Sequence, residues 1–241
     1  MDIDLNLLVL TAISIGFVHT LIGPDHYLPF VAMSAARNWT RRKTLLVTAA
    51  CGVGHVLGSI VLGLVGIALG AALHHLEWIE GLRGDLAAWA LTTFGLVYMA
   101  WGLKRAWRDR QHSHEHLHAD GTRHRHTHAH HVRDEHLHVH VQVDTDTVRS
   151  ITPWALFVVF ILGPCEALIP LLMYPASQHS WWGVSLVVLS FAATTIVTMM
   201  TIVYLAVRGL ERLPLKAAER YTHALAGAAL SLCGLGIVFG L

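Results

Sequence analysis

The chain has 241 residues, of which 54% are hydrophobic and only 14% are charged, and its formal net charge is +1. Apolar runs longer than about eighteen residues recur along the sequence, and runs of this length are typical of helices that cross a lipid bilayer. The composition therefore excludes an ordinary water-soluble domain and predicts an all-α integral membrane protein.

Six membrane spans are predicted in chain order. Lys and Arg concentrate in the connections after the first, third and fifth spans, whereas the connection after the second span has only Arg83 and the one after the fourth has neither residue type. Because basic loops stay on the cytoplasmic side, we predict a multi-pass inner-membrane protein with both termini outside the cell. The predicted spans cover residues 5–35, 44–73, 85–103, 152–177, 181–207 and 218–241.

The first and fourth spans each contain a helix-breaking motif near the centre. The first span is interrupted by Gly23-Pro24-Asp25-His26 and the fourth by Gly163-Pro164-Cys165-Glu166. Proline lacks an N–H and its ring clashes with the carbonyl four residues back, so each motif predicts a broken helix. Polar side chains deep in a membrane are costly and are rarely present without a function. The alternative is that the prolines only kink two helices for packing.

The two motifs belong to a longer internal repeat. Residues 90–96 of the third span resemble residues 229–235 of the sixth. Each repeat has three spans, an odd number, so the second repeat crosses the membrane in the opposite orientation to the first. This architecture is typical of secondary transporters. We therefore predict two inverted three-helix repeats with broken helices 1 and 4. The repeats cover residues 1–103 and 151–241, and a cytoplasmic segment, residues 104–150, lies between them.

Side chains able to bind metal gather around the two breaks. His19 and His26 are seven residues apart and share a face if the helix is roughly continuous, while His55 lies mid-span in the second segment. A lone intramembrane histidine is often only a packed hydrogen-bonding group, but several together favour a metal site. Imidazole, carboxylate and thiolate suit Ni²⁺, Co²⁺, Zn²⁺ or Fe²⁺ better than Mg²⁺ or Ca²⁺. The predicted metal-binding residues are His19, Asp25, His26, His55, Cys165 and Glu166.

The third loop is dense in histidine, which is the commonest transition-metal ligand near neutral pH. Strict alternation predicts extended strands, with His118 opposite His124, His116 opposite His126 and a further strand over residues 136–140. The alternatives are a solvated polar linker or a tract that is disordered until metal binds. The predicted loop ligands are His112, His114, His116, His118, His124, His126, His128, His130, His131, His136, His138 and His140.

The run from Gly16 to His26, followed by Gly54-His55, resembles the nickel/cobalt transporter superfamily, and most closely its urease-accessory and high-affinity nickel-transport-like branch. The resemblance implies that His19, Asp25, His26 and His55 line a metal pathway. Nickel permeases of that superfamily have four residues between the first histidine and the Asp-His pair, whereas this chain has five. The second Gly-Pro motif also resembles sulfite-exporter-like and cytochrome-biogenesis permeases, which are distant relatives with inverted three-helix repeats.

The leading hypothesis is a transporter of divalent transition-metal ions, with nickel or cobalt first and zinc or iron also suited. The metal is then the substrate, and no permanent cofactor is expected. The expected partners are the lipid bilayer and the metal ions. No nucleophile–base arrangement, phosphate-binding loop or nucleic-acid module is present, so neither an enzyme nor a nucleic-acid partner is predicted.

Two other functions remain open from the sequence. A thiol-relay protein of the cytochrome-biogenesis type needs one cysteine in each repeat, yet Asp25 stands at the position that matches Cys165. A sulfite-type anion exporter needs Lys or Arg inside the spans, and the predicted spans have neither at their centres.

Overall fold

The computed structural model describes residues 2–69, 73–108, 112–117, 123–128, 145–163, 165, 167–178, 180–212 and 219–239. Across these residues the chain is helical apart from one short hairpin. The helices are α1 (Asp2–Ile22), α2 (Leu28–Arg37), α3 (Arg41–Ala68), α4 (Leu73–Arg108), α5 (Thr145–Leu162), α6 (Leu168–Ser177), α7 (Trp181–Leu210) and α8 (Thr222–Val238), with 3-10 turns at Pro24–His26 and Glu219–Tyr221.

Four helical segments are long and apolar enough to cross a membrane, which is typical of a membrane protein. Three further apolar stretches are shorter, at 10–17 residues: the end of α5, α6 and α8. The long segments are Leu5–Ile22, Arg41–Ala68, His75–Arg108 and Trp181–Leu210.

Both Gly-Pro motifs interrupt their helices, as the sequence predicts. α1 ends at Ile22, with the Gly23 N–H donating to the His19 carbonyl at 3.0 Å, and the chain then makes one 3-10 turn before α2. α5 ends at Leu162, and α6 begins at Leu168. The breaks follow from local chemistry, because a proline cannot donate the hydrogen bond that would continue the helix.

The third predicted span, which corresponds to α4, differs from its predicted bounds. The sequence predicts the third span at residues 85–103, with Arg83 in the connection before it. The corresponding helix, α4, runs from Leu73 to Arg108 and contains Arg83. The prediction is wrong here because charged residues at the start of the helix lower its local hydropathy, although they do not stop a helix from forming. Two of these residues, Glu80 and Arg83, neutralise each other inside the protein.

The turn between α2 and α3 lies beside the end of α7. Asn38 ends α2 in the left-handed conformation with φ of 50°, which asparagine tolerates better than most residues, and the Thr40 hydroxyl caps α3 by accepting from the Lys43 N–H at 3.2 Å. Arg41 Nε donates to both oxygens of Glu211 at 2.9 and 3.0 Å. The hydrogen bonds from Arg41 lower the pKa of the Glu211 carboxyl. The first and fifth loops therefore meet on one side of the molecule.

The helices pack in pairs that join the two halves of the chain. α4 packs along α8, α1 along α7, and α3 against both α5 and α7. Two apolar clusters fill the interior. One contains Phe30, Met33 and Met199, and the other contains Val56 and Phe191. The ends of α1 and α5, where the two breaks occur, thereby come to lie beside α3.

The histidine-rich segment contains an antiparallel hairpin of β1 (His112–Leu117) and β2 (Arg123–His128). The two predicted pairings are wrong by two residues because Arg123 joins the second strand rather than the connection. Histidine still lies opposite histidine, since a shift of two residues preserves the face of a strand. The pairs are His112 with His128, His114 with His126 and His116 with His124. The predicted third strand and His118, His130, His131, His136, His138 and His140 lie outside the described residues.

Candidate metal centre

Three of the predicted metal-binding histidines come together at the first break. His19 belongs to the last turn of α1, His26 to the 3-10 turn and His55 to the middle of α3. One ring nitrogen of each lies within 4.8 Å of the other two. The ring centroids of His19 and His26 are 4.6 Å apart, and those of His26 and His55 are 5.1 Å apart, both edge to face.

The three Nε2 atoms are buried and make no hydrogen bond. A buried polar atom without a partner costs free energy, and such atoms call for an explanation such as an ion. Three imidazole nitrogens around a zinc-like ion at about 2.0–2.1 Å stand roughly 3.3 Å apart in a tetrahedral arrangement. The ring nitrogens, at most 4.8 Å apart, therefore need to approach one another by up to about 1.5 Å to hold an ion.

The backbone of the 3-10 turn and Asp25 fix the orientation of His26. Its Nδ1 lies 3.2 Å from the Gly23 carbonyl and 3.2 Å from Oδ1 of Asp25. Both of these oxygens are acceptors, so Nδ1 carries the proton in the neutral ring and Nε2 keeps its lone pair. A histidine that donates one N–H to a carboxylate while the other nitrogen binds an ion is the usual arrangement in metal sites.

The second break fixes the orientation of His55 in a similar way. Its Nδ1 lies 3.3 Å from the Phe160 carbonyl on α5. That carbonyl also accepts from the Gly163 N–H at 3.2 Å, and it has room for His55 because Pro164, four residues later, has no N–H to donate to it. Since a carbonyl only accepts, Nδ1 of His55 carries the proton and Nε2 is again left as the ligand. Each broken helix thus orients one histidine.

Gly23 is required by a close approach. A Cβ at this position would lie 2.6 Å from Nδ1 of His26 and 2.7 Å from Oδ1 of Asp25. Any larger residue would push these two groups apart. On the other side of the site, a Cβ on Gly163 would lie 3.2 Å from Nδ1 of His55. The glycines of both motifs therefore make room for the histidines.

Two other predicted ligands are not part of the three-histidine group. Asp25 contacts Nδ1 of His26, so its carboxylate orients that ring and adds negative charge beside the group. Cys165 is fully buried in the apolar cluster with Val56 and Leu168 and is also absent from that group. The chain at Cys165 turns the thiol into the interior, where it packs as a small apolar group. Glu166 lies outside the described residues.

Sequence reasoning missed a buried ion pair beside the second break. Arg83 Nη1 donates to Oε1 of Glu80 at 2.8 Å, and Glu80 is fully buried with its Oε2 unpartnered. Arg83 Nη2 also donates to the Ile161 carbonyl at 2.7 Å. The available signal was the i, i+3 spacing of Glu80 and Arg83 on a helix, which the short predicted span concealed.

Comparison with known proteins gives little guidance on function. The chain is 35% identical over 94 residues to "Chloroplast protein FOR GROWTH AND FERTILITY 2" of Arabidopsis thaliana. The similar segment covers 38% of this chain and 23% of the plant protein, so the chain matches less than a quarter of that relative's length. No known family profile matches the chain. No solved structure matches it.

Proposed function

We propose that the chain is a transmembrane transporter of divalent transition-metal ions, with Ni²⁺ or Co²⁺ as the first candidates. The observation that carries this proposal is the convergence of His19, His26 and His55, each with a buried and unbonded Nε2, among apolar helices. Intramembrane ionisable residues that face the interior of a bundle mark ion pathways by default.

The ligand set is compatible with a transported ion. Three imidazoles without a thiolate favour borderline ions such as Ni²⁺, Co²⁺ and Zn²⁺. They leave further coordination positions for water, so an ion is able to exchange, and conduction requires binding weak enough for release. Asp25 supplies one negative charge beside the ligands, which offsets part of the cost of placing a dication in an apolar region.

The directions of the packed helices support six spans, with α1–α2 and α5–α6 each counted as one broken span. In that arrangement the first and fifth spans are parallel, and so are the second and fourth. Along α3, a Cβ on Gly54 would meet Phe157 and Ile161, one on Gly58 the Ile161 carbonyl and one on Gly63 Leu172 of α6, and this order supports second and fourth spans that run in the same direction. α1 and α7 are also parallel, since Gly183 lies beside Leu5 and Gly16 beside Phe191.

The contact between α4 and α8 supports an inverted repeat. These helices are antiparallel, and the repeat matches Gly95 with Gly234 and Thr92 with Ser231. A Cβ on Gly95 would meet Ser231, and a Cβ on Gly234 would meet Thr92. Such reciprocal contacts are expected where a twofold axis passes between two equivalent helices. The same axis would relate the two Gly-Pro breaks.

The arrangement of charge supports the proposed topology in an inner membrane. The basic first and fifth loops meet through Arg41 and Glu211, which is expected if both are cytoplasmic. The histidine-rich segment would then lie on the same side, where it is able to capture, buffer or sense metal at the inner mouth. The outward face of α3 is apolar and half or more exposed, as lipid contact requires. Its exposed residues include Leu46, Val53, Leu57, Val61 and Val65.

The two alternative functions gain no support. An anion exporter needs an unengaged positive charge in the membrane, but Arg83 already donates to Glu80 and to the Ile161 carbonyl. A thiol relay needs a pair of cysteines. Cys51, Cys165 and Cys233 are free thiols, each buried, and the first repeat has Asp25 where the second has Cys165.

The test is metal flux in proteoliposomes that contain the purified full chain. Ni²⁺, Co²⁺, Zn²⁺, Mn²⁺ and Fe²⁺ are compared with and without a proton gradient. His55→Asn removes Nε2 but retains an amide N–H that can reach the Phe160 carbonyl, and we expect it to abolish saturable flux. His75→Asn, at an exposed position near the start of α4, is the matched control and should transport normally. Wild-type flux from His55→Asn would overturn the proposal.

A further inference from the structure

We propose that Arg83, held by Glu80, is a positioning residue for the metal site, because it fastens the broken end of α5 that orients His55. This inference rests on the proposed function. It assigns a role in the site to an ion pair that touches none of the three ligand histidines.

Arg83 binds the last turn of α5 from the neighbouring helix α4. Its Nη2 lies 2.7 Å from the Ile161 carbonyl and 3.5 Å from the Gly163 carbonyl, and its Nη1 lies 3.5 Å from Oγ of Ser59 on α3. A Cβ on Gly58 would lie 2.6 Å from Nη2. The guanidinium thus occupies a narrow gap where three helices meet.

The end of α5 needs such a partner. The last carbonyls of a helix have no intrahelical donor, and in a membrane they cannot turn to bulk water. Because α5 ends at Leu162, the Ile161 carbonyl has no residue four positions later in the helix that could donate to it. A guanidinium is well suited to the position, since it carries several N–H donors in a rigid fork and a positive charge that the negative end of the helix attracts.

The fastened turn is also the turn that orients a ligand. Phe160, one residue before Ile161, presents its carbonyl to Nδ1 of His55 at 3.3 Å. A Cβ on Gly163 would lie 3.2 Å from the same nitrogen. If the end of α5 frays, His55 loses both the acceptor that fixes its tautomer and the surface that fixes its ring. Partners of this kind affect metal affinity by about 10–100-fold in known metal sites.

Glu80 keeps Arg83 in place. Its carboxylate is fully buried, and its Oε1 accepts from Nη1 of Arg83 at 2.8 Å. Removing Arg83 alone would leave a buried charge without a partner, which destabilises a fold strongly. Replacing both partners by uncharged side chains of similar shape is often neutral for stability. The double replacement therefore separates positioning from folding.

The experiment measures Ni²⁺ and Co²⁺ binding in detergent on a full-length parent in which the twelve loop histidines are serine. The variants are Glu80→Gln/Arg83→Met, Arg83→Lys and, as a control, Arg108→Met at the exposed end of α4. We expect the double variant to fold and to melt only moderately lower without metal, because the Ile161 carbonyl loses its donor, but to raise the Kd at least tenfold and to change the Co²⁺ absorption spectrum. Arg83→Lys should raise the Kd about threefold, since an ammonium lacks the fork. Arg108→Met should match the parent.

The outcomes separate this inference from the proposed function. A parent that binds no metal, or whose binding is unaffected by His55→Asn, would sink the proposed function itself. If binding depends on His55 while the double variant keeps the parental Kd and Co²⁺ spectrum, only the role of Arg83 is refuted. If the double variant does not fold, Arg83→Lys becomes the deciding variant, because it retains the positive charge beside Glu80. A Kd equal to that of the parent in Arg83→Lys would then refute the inference.

Discussion

Oδ1 of Asp25 lies 3.2 Å from Nδ1 of the adjacent His26, whose other ring nitrogen, Nε2, is buried and unpartnered. The contact makes the carboxylate a partner of a candidate ligand. It also places the only acidic group of the first Gly-Pro motif where its charge reaches the site without occupying a coordination position.

Asp25→Asn should weaken metal transport more than the loss of several loop histidines. The amide still accepts a hydrogen bond from His26, but it removes the negative charge that offsets the dication. We expect the apparent affinity to fall about 10–100-fold. The apparent affinity is determined from metal flux in proteoliposomes. Asp85→Asn, at an exposed position on α4, is the control. Equal effects of the two substitutions would contradict this role.

Gly23→Ala should impair metal binding even though alanine is the better helix former. The new Cβ would fall within 2.7 Å of both His26 and Asp25, so their contact must open. Gly81→Ala is a matched control, because nothing lies within 4 Å of a Cβ there, and it should stabilise α4 by up to about 1 kcal/mol. The Kd for Ni²⁺ and the melting temperature are measured for both. Normal binding by Gly23→Ala would argue against this geometry.

Gly95→Ala should destabilise the fold by about 1–3 kcal/mol, because its Cβ would lie 2.4 Å from the backbone nitrogen of Ser231 and a backbone cannot rotate away. Gly209→Ala, which meets nothing within 4 Å, should leave stability nearly unchanged. Thermal unfolding in detergent compares the two variants. A tolerated Gly95→Ala would mean that α4 and α8 pack less closely than the twofold contact requires.

Replacing the twelve loop histidines by serine should leave a folded protein that still transports with weaker apparent affinity. Many equivalent ligands outside the bilayer concentrate metal but do not form one translocation site. Imidazoles near their usual pKa of about 6.5 lose metal as they take up protons, so loop-dependent stimulation should fade below about pH 6. Flux measured against pH in both proteins tests this. Complete loss of transport in the variant would place the loop in the pathway itself.

Cysteine labelling in intact cells should report the proposed topology. The three native thiols are buried, so an introduced cysteine gives the signal. Gln178→Cys, between α6 and α7, should react with a membrane-impermeant reagent from outside, whereas Ser113→Cys and Glu211→Cys should react only after lysis. External labelling of Ser113→Cys would reverse the topology and remove the argument for a cytosolic metal sensor.

Local chemistry let the sequence predict the two breaks and the histidines beside them. A Gly-Pro pair is a stronger break than a lone proline: α1 ends at Ile22 and α5 at Leu162, directly before the two pairs, whereas Pro153 and Pro175 stand inside α5 and α6. The length of the apolar runs predicted membrane helices, because this length also depends only on residues that are neighbours in the sequence. Histidine alternation predicted paired strands; β1 and β2 do pair, in a register that differs by two residues.

Tertiary structure decided which partners those residues contact. The sequence predicted both Asp25 and Cys165 as ligands, but only the folded chain shows that Asp25 contacts Nδ1 of His26 and that Cys165 is buried among apolar side chains. The carbonyl of Phe160 meets His55 across 105 positions, and no local pattern encodes a contact at that separation. Arg83 was assigned to a loop because hydropathy penalises a charge, whereas its partner Glu80 and the open end of α5 cancel that cost within the fold. The sequence shows that burying a charged or polar group would cost free energy, but only the folded chain shows the partner that offsets this cost.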